Sequence, residues 1–392
     1  MFIFLIAVLY LAFVSLGLPD SVLGSAWPSM FGEMGVPVSY AGIISAIIAF
    51  GTIISSLMSD RITYKLGSGK TTFVSIIMTA LALLGFSFST KFWMLCIFAI
   101  PYGLGAGSVD ASLNNYVALH YSSKHMSWLH CMWGVGASIG PAIMSYALTG
   151  GLSWRNGYLY ISIIQFVISF VVLVSLPLWK SRIEAPSGTA DEETSKSAKP
   201  LPLRSIIAIP GAKAIMITFL CYCAIEVVVT LWASTYLSLY RGIDAEISAA
   251  WGSLFLVGIT VGRAVNGFIS MKLSDTALIR IGQGIILIGI TMIIIPASNT
   301  LCLVGLAVAG LGCAPVYPCI IHSTPARFGA DKSQAMIGVQ MASAYTGTCL
   351  MPPLFGLIAE HINIALFPLY VGVLLILMIV MHEYLCRRIP IK

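Results

Sequence analysis

Apolar stretches long enough to cross a lipid bilayer recur along the whole chain. A transmembrane helix needs about 20 consecutive, mainly apolar residues. Only 9% of the 392 residues are charged, whereas a soluble domain has about 25%. The sequence therefore predicts an all-α integral membrane protein with twelve transmembrane helices, at residues 3–30, 38–58, 71–89, 92–118, 127–149, 157–179, 212–239, 247–270, 277–297, 300–323, 333–359 and 364–385.

Basic residues predict how these helices are oriented. Most lysine and arginine residues fall on one side of the predicted bundle, whereas Lys91, Arg155 and Arg241 fall on the other. By the positive-inside rule, both termini and the even-numbered connections then lie in the cytoplasm. We expect a monomer in the lipid bilayer of the bacterial cytoplasmic membrane. The net charge of +6 reflects this topology and gives no reason to expect a nucleic-acid partner.

A long polar stretch divides the chain into two halves of six predicted spans each. Residues 180–210 hold prolines, acids and lysines with almost no apolar residues between them. Such a composition is typical of a disordered linker. The sequence therefore predicts an N-terminal six-helix bundle at 1–179, a cytoplasmic linker at 180–210 and a C-terminal six-helix bundle at 211–392.

The two halves resemble one another at a nearly constant offset. Gly103 and Gly105 flank a leucine in the first half, and Gly310 and Gly312 do so in the second. Repeated halves are typical of transporters in which two bundles, related by a pseudo-two-fold axis, hold the substrate near the membrane midplane. A chance match of glycines is the alternative.

Acidic residues inside the predicted spans are the main candidates for a functional site. Asp20 precedes Trp27 in span one, Glu226 precedes Trp232 in span seven, and Asp110 lies in span four. An ionised carboxylate at that depth costs roughly 2.5–3.5 kcal/mol. We therefore expect the acids to bind substrate or a proton; the alternative is a neutral carboxyl group that donates a structural hydrogen bond.

Helical spacing places further polar and aromatic groups near these acids. Asn114 follows Asp110 by one turn on the same helix face, and Trp27 offers a ring on which a sugar could stack. Tyr317 and Gln340 are polar residues of later spans. The predicted substrate- and proton-binding residues are Asp20, Trp27, Asp110, Asn114, Glu226, Tyr317 and Gln340.

The balance of charge within the spans favours coupling to protons. The three acids are opposed by one basic residue, Arg263 of span eight, for which we expect a structural ion pair. A desolvated carboxyl group favours its protonated form, so a proton is the expected coupling ion and sodium is the alternative. Asp60 and Arg61, expected in the connection after span two, could brace the helix ends during gating.

Motifs for catalysis or metal binding are incomplete in this sequence. Lys70 and Thr71 match the last two positions of the phosphate-binding loop motif, but Tyr64 occupies the position at which that motif needs its first glycine. His382 and Glu383 lack the second histidine of a zinc helix. We therefore expect neither an enzyme nor a bound metal or cofactor. We expect His130 and His322 to cap or pack helices, with a proton relay as the alternative, and we interpret Trp133 as a packing or interfacial aromatic residue.

The layout and several motifs carry a family resemblance. Twelve spans in two halves, with a degenerate loop signature from Asp60 to Lys70, resemble the major facilitator superfamily. The narrower resemblance is to the L-fucose:proton symporter family, and it rests on Gly103-Leu104-Gly105-Ala106-Gly107 with Asp110 and Asn114, and on Leu129-His130 with Gly134, Gly136, Gly140 and Pro141. It implies alternating access, with Asp20 and Asp110 serving substrate and proton. The family symporter has glutamate where this chain has Asp110, and Glu226 is an additional acid.

Three functions are consistent with the sequence. The first is proton-coupled transport of a small polar solute, with a monosaccharide as the leading substrate. The second is proton-coupled export of a cationic or drug-like compound, which acids and tryptophans could bind. The third is a non-transporting membrane receptor or enzyme, which the internal repeat disfavours.

Overall fold

A computed structural model of the chain describes residues 2–20, 22–37, 40–149, 152–180, 201–243, 248, 251–252, 254–295 and 298–391. Regular secondary structure in these residues is helical. The helices are α1 (Phe2–Gly17), α2 (Val22–Met34), α3 (Ala41–Leu66), α4 (Ser68–Phe88), α5 (Phe92–His120), α6 (Ser123–Thr149), α7 (Trp154–Lys180), α8 (Leu203–Ala208), α9 (Ala212–Leu239), α10 (Leu254–Ile269), α11 (Asp275–Ile294), α12 (Asn299–Cys313), α13 (Val316–His322), α14 (Thr324–Phe328), α15 (Ala330–Ile358) and α16 (Phe367–Arg388).

These helices match the predicted transmembrane spans. Ten helical segments of the described residues are long and apolar enough to cross a membrane, and one of them, Ala330–Arg388, contains both α15 and α16. A π-helical segment (Ala359–Asn363) and a 3-10 segment (Ile364–Leu366) separate those two helices. The apolar helix α10 is shorter, at 16 residues. With α15 and α16 counted separately and α10 included, twelve spans result, and the predicted all-α membrane fold is confirmed.

The chain divides into two compact units. The first unit comprises Met1–Tyr116 and Leu129–Leu201, and the second comprises Val117–Trp128 and Pro202–Lys392. The connection between α5 and α6 thus belongs to the second unit, whereas the sequence placed it in the first half. Of the predicted linker, residues 181–200 lie outside the described residues, and its last part contains α8.

The first span is broken beside Asp20, which corrects the single continuous helix expected from the sequence. Pro19 has no N–H group, so the carbonyl oxygen of Ser15, four residues earlier, cannot receive its helical hydrogen bond. Gln165 of α7 replaces that bond by donating from Nε2 to the Ser15 carbonyl oxygen at 2.5 Å. The Ser15 hydroxyl donates in return to Oε1 of Gln165. Both side chains are buried, so the break is satisfied without water.

The second and third spans are joined by one residue. α3 runs on to Leu66, and Gly67 ends it with a φ of 77°, a conformation that glycine adopts without strain. Asp60 and Arg61 therefore lie in the last turns of α3, and not in a connection as the sequence suggested. Asp60 accepts a hydrogen bond from the backbone N–H of Leu201 at 3.3 Å.

Glycines make the same close helix contacts in both units. A Cβ atom on Gly103 of α5 would overlap the backbone carbonyl oxygen of Ile48 in α3. A Cβ atom on Gly310 of α12 would overlap that of Phe255 in α10. Both residues of the second contact lie 207 positions after those of the first.

A second pair of contacts repeats with the same offset. An ideal Cβ on Gly105 lies 2.8 Å from the carbonyl oxygen of Ser75 in α4, and one on Gly312 lies 2.7 Å from that of Gly282 in α11. These offsets are again 207 positions. The two units therefore repeat their internal packing at the level of single backbone contacts, which supports the internal repeat inferred from the sequence.

Hydrogen bonds and an ion pair hold the C-terminal end of α2 against the start of α7. Glu33 forms an ion pair with Arg155 and accepts a hydrogen bond from Nε1 of Trp154 at 2.6 Å. Arg155 donates in addition to the carbonyl oxygen of Ser89 at 3.0 Å. Burial raises the pKa of Glu33, but the hydrogen bonds from Arg155 and Trp154 outweigh it, so that the pKa lies below its ordinary value of 4.5. The ionised form of Glu33 therefore stabilises the folded unit.

We predict that Gly103→Ala and Gly310→Ala destabilise the protein to a similar extent, because each methyl group meets a backbone carbonyl. Overpacking of this kind costs about 1–3 kcal/mol. Thermal unfolding in detergent, followed with a thiol-reactive dye that reports the buried cysteines, measures the loss. Gly372→Ala is the matched control, since a Cβ there has nothing within 4 Å. A loss in only one of the two variants would contradict the repeated packing.

We predict that the stabilising effect of Glu33 depends on pH. Because its pKa is lower in the folded protein than at its ordinary value of 4.5, its contribution is fully present above about pH 4.5 and is lost as the pH falls through the folded pKa. The pair is partly exposed, at 26% for Arg155 and 45% for Glu33, so Glu33→Gln should cost at most about 1 kcal/mol. Unfolding temperatures of both proteins should differ at neutral pH and converge in acid, with the exposed Glu360→Gln as control.

Candidate functional site

The first unit holds Asp20 at the break between α1 and α2. Nε1 of Trp133, from α6, donates to Oδ2 of Asp20 at 2.8 Å. The hydroxyl of Tyr102, from α5, donates to Oδ1 at 3.3 Å. Asp20 is exposed, so its carboxylate can be reached by a ligand while neutral aromatic donors hold it in place. Trp133 therefore binds a predicted site residue, a contact that the sequence analysis did not expect.

A second, buried network lies beside Asp110 on α5. Asn114 donates from Nδ2 to Oδ1 of Asp110 at 2.8 Å. Oδ1 of Asn114 lies 3.0 Å from Nε2 of His130 in α6. All three residues are at most 5% exposed. The expected pairing of Asp110 with Asn114 is present, but His130 belongs to the network and does not cap a helix end.

Close backbone contact holds α6 against α1 in this region. A Cβ atom on Gly136 would overlap the carbonyl oxygen of Val14, and one on Gly140 would overlap that of Leu18. A Cβ on Gly17 would in turn overlap the carbonyl oxygen of Trp133. The three glycines thus bring α6 close enough for Trp133 to reach Asp20.

The second unit places Glu226 of α9 beside Arg263 of α10. NH2 of Arg263 lies 3.4 Å from both carboxylate oxygens of Glu226 and 3.5 Å from the Tyr222 hydroxyl. The side chains are 5% exposed for Arg263 and 17% for Glu226. Glu226 therefore has a basic neighbour, and Arg263 lies in an ion pair, as expected for it from the sequence. A substrate role for Glu226 is not tested by this contact.

The internal repeat shows what the two units do differently. Glu226 lies 206 positions after Asp20, and Tyr317 lies 207 positions after Asp110. The residue 207 positions before Arg263 is Ser56, whose hydroxyl donates to the backbone oxygen of Gly107 at 3.3 Å. The first unit therefore carries two acids and a serine where the second carries one acid, a tyrosine and an arginine.

The remaining predicted site residues are packed against other side chains. Tyr317 donates to the sulfur of Met341 at 3.2 Å, and its ring contacts that of Phe219 with centroids 4.6 Å apart. Gln340 is fully buried and its amide donates to the hydroxyl of Thr324 at 3.0 Å. Trp27 is 5% exposed. A substrate-binding role for Gln340 and Trp27 therefore stays a prediction from the sequence, and the site that we propose does not depend on it.

A further polar cluster lies at the start of α11 in the second unit. Asp275 accepts from the hydroxyl of Ser123 at 2.6 Å and lies 2.6 Å from Nδ1 of His322. Nε2 of His322 lies 3.1 Å from the carbonyl oxygen of Tyr121. His322 thus holds residues 121–123 against α11, a packing role like the one expected from the sequence.

Sequence reasoning missed three groups of the first unit: Tyr102, His130 and Trp133. His130 and Trp133 are three residues apart on α6, within the glycine-rich segment that the sequence analysis interpreted as a packing surface. One signal was available, because polar and indole side chains on the same face as Gly136 and Gly140 must lie at the contact with another helix. The identity of that helix was not available.

Comparisons with known proteins agree with this architecture. A family model described as Major Facilitator Superfamily matches residues 9–294 and 214–390. An uncharacterized transporter, y4wD of Sinorhizobium fredii, is 23% identical over 93% of this chain and 95% of its own length. The glucose/mannose transporter GlcP of Bacillus subtilis is 26% identical over 68% of each chain.

A solved structure shows the same fold. The fucose:proton symporter FucP of E. coli, crystallised as a single-residue variant, superimposes with a TM-score of 0.70 at 16% sequence identity. The match covers 98% of both chains. At this identity the likeness establishes the fold, and it agrees with the resemblance drawn from the motifs of the first unit.

We predict that Arg263→Met is strongly destabilising, because it leaves Glu226 in a partly buried setting without its cation. Removing one partner of a buried pair costs about 3–5 kcal/mol. The double variant Arg263→Met with Glu226→Gln should recover much of that loss, since no charge remains. Unfolding temperatures of the single and double variants give the coupling between the two residues.

The matched control for this prediction is the surface pair of Arg280 and Glu383, in which Nε of Arg280 lies 2.6 Å from Oε1 and Arg280 is 53% exposed. Arg280→Met should cost at most about 1 kcal/mol. Equal losses for Arg263→Met and Arg280→Met would show that burial of the Glu226 pair has no energetic consequence.

Proposed function

Because this chain belongs to the major facilitator superfamily, a family of transporters and not of enzymes, we propose that it is a proton-coupled secondary transporter of a small polar solute. The leading substrate is a monosaccharide. We assign proton coupling to Asp20 and Asp110 in the first unit. We place the protein in a bacterial cytoplasmic membrane, with both termini in the cytoplasm. Substrate moves by alternating access.

The observation that carries the proposal is the pair of acids in the first unit. Asp20 and Asp110 repel one another when both are ionised. Asp20 accepts hydrogen bonds from the neutral groups of Trp133 and Tyr102, and Asp110 accepts one from the neutral amide of Asn114. In a membrane interior a carboxyl group in such surroundings is stabilised by binding a proton. A proton can therefore be loaded at one side of the membrane and released at the other.

The Glu226–Arg263 pair is a weaker candidate for this task. A guanidinium nitrogen of Arg263 lies 3.4 Å from both carboxylate oxygens of Glu226, so this acid already has a cation beside it. In the first unit the position that corresponds to Arg263 is Ser56. We therefore assign proton coupling to the first unit and a structural or substrate-orienting role to Glu226.

A sugar is supported by the chemistry around Asp20. An exposed carboxylate accepts hydrogen bonds from hydroxyl groups, and the Trp133 ring beside it offers an apolar face. A pyranose presents both hydroxyl groups and an apolar face. The likeness to a glucose/mannose transporter, at 26% identity, is consistent with this substrate class. An organic cation would suit the same carboxylate, so the transport assay includes cations.

Proteoliposomes that contain a pH-sensitive dye test the proposal. External D-glucose, D-mannose, L-fucose or D-xylose should acidify the lumen if substrate and proton move inward together. A rise in luminal pH on addition of tetraphenylphosphonium would instead indicate antiport of a cation. The absence of any proton movement with this panel would contradict the proposed sugar:proton symport.

We predict that Asp20→Asn and Asp110→Asn each reduce sugar-driven proton flux at least tenfold, about 1.4 kcal/mol or more, because an amide cannot release a proton. Asp331→Asn is the matched control, since Asp331 is exposed at the start of α15. All variants must unfold at temperatures close to that of the unmodified protein. Undiminished flux in both site variants would reject the assignment of Asp20 and Asp110.

A further inference from the structure

One face of α6 is connected to both acids of the first unit, directly to Asp20 and through Asn114 to Asp110. His130 and Trp133 are three residues apart and share that face. Trp133 donates directly to Asp20 at 2.8 Å. His130 reaches Asp110 through Asn114, by contacts of 3.0 Å and 2.8 Å. A displacement of this face would therefore change the hydrogen bonds of both carboxyl groups.

The hydrogen bonds around Asn114 have a direction. Nδ2 of Asn114 donates to Asp110, so the amide oxygen faces His130. That oxygen can only accept, which requires Nε2 of His130 to carry a proton. His130 therefore donates to Asn114, and Asn114 donates to Asp110. This arrangement suits an ionised carboxylate, which can only accept hydrogen bonds.

Protonation of Asp110 permits the opposite direction. A carboxylic acid that donates from Oδ1 needs an acceptor, and Asn114 provides one only if its amide turns by about 180°. The amide NH2 group would then face His130, whose Nε2 must become the acceptor. A proton on Oδ1 of Asp110 thus gives a second arrangement, in which Asn114 gives up its hydrogen bond to the Asp110 backbone oxygen, at 3.0 Å, and the imidazole of His130 becomes the acceptor.

The contact of His130 with α1 can transmit a change in the hydrogen bonding of its imidazole to that helix. Its ring packs edge-on against Phe13 of α1, with centroids 5.2 Å apart and planes at 85°. Phe13 precedes Gly17, where the backbones of α1 and α6 are in direct contact. Tightly packed helices move as units and do not deform continuously. A change at His130 is therefore passed to the relative position of α1, which ends three residues before Asp20, and α6, which carries Trp133.

We propose that His130 is a positioning residue that couples the protonation of Asp110 to the hydrogen bond between Trp133 and Asp20. The proposal rests on the proton-coupled function assigned to these acids. The titratable groups that face this network are Asp20, Tyr102 and Asp110, with Tyr158 of α7 beside Tyr102. His130 thereby links the proton site to the exposed carboxylate that is available to substrate.

Direct repulsion between Asp20 and Asp110 would also couple them, and a double-mutant cycle separates the two routes. The purified full-length protein is titrated in detergent between about pH 4 and pH 9, without substrate. The signal is the fluorescence of Trp133, obtained by subtracting the spectrum of Trp133→Phe. The midpoint pH of the change in Trp133 fluorescence is measured with and without Asp110→Asn. The shift that Asp110→Asn causes is compared in otherwise unmodified protein, in the His130→Leu background and in the His130→Gln background.

We predict that Asp110→Asn shifts the midpoint by about one pH unit in the unmodified background and by less than half as much in the His130→Leu background. Glutamine can donate or accept a hydrogen bond to Asn114, so the His130→Gln background should retain most of the shift. If His130→Leu does not fold, as judged by thermal unfolding, His130→Met provides the same test.

An equal shift in the unmodified and His130→Leu backgrounds would overturn the proposal, because repulsion alone would then account for the coupling. No shift in unmodified protein, or loss of the shift in His130→Gln, would also overturn it. The titration uses neither substrate nor a proton gradient. If the double-mutant cycle shows the predicted coupling but sugars drive no proton flux in proteoliposomes, the proposed function is rejected and the role of His130 is not.

Discussion

The interior of a lipid bilayer offers no water to polar groups, and this constraint governs the first unit. Pro19 removes a helical hydrogen bond beside Asp20, and the buried Gln165 replaces the missing donor at the Ser15 carbonyl oxygen. An unsatisfied backbone group in hydrocarbon costs several kcal/mol, so the break in span one depends on this one side chain. The break in turn leaves Asp20 exposed at the end of a helix, where Trp133 and Tyr102 can hold it.

The same constraint has been met differently in the two units. Internal packing repeats at an offset of 207 residues, down to single glycine contacts, yet the polar groups placed on this shared framework differ. Arg263 lies beside Glu226 in the second unit, and Ser56 occupies the corresponding position in the first. A repeated scaffold can therefore carry a charge-balanced site in one unit and a site suited to proton binding in the other.

Close packing gives this arrangement a mechanical consequence. Glycines at the contact between α1 and α6 bring the two backbones together, so a shift of one helix changes the contacts of the other. The side chains of α6 that contact Asp20 and the Asp110 network lie only three residues apart. In the function that we propose, a buried acid that binds a proton and an exposed acid that binds a ligand are thus connected through a single helix face.

The sequence by itself determined the twelve spans, the two repeated halves and the acids within them, because hydrophobic length, charge bias and repeats are local properties of the chain. It also identified the pairing of Asp110 with Asn114, since both lie on one helix face. Only the tertiary structure decided that Trp133 bonds Asp20, 113 positions away, and that Gln165 satisfies Ser15, 150 positions away. Such partners depend on which helices are neighbours and how each is rotated about its axis, and no local pattern specifies either.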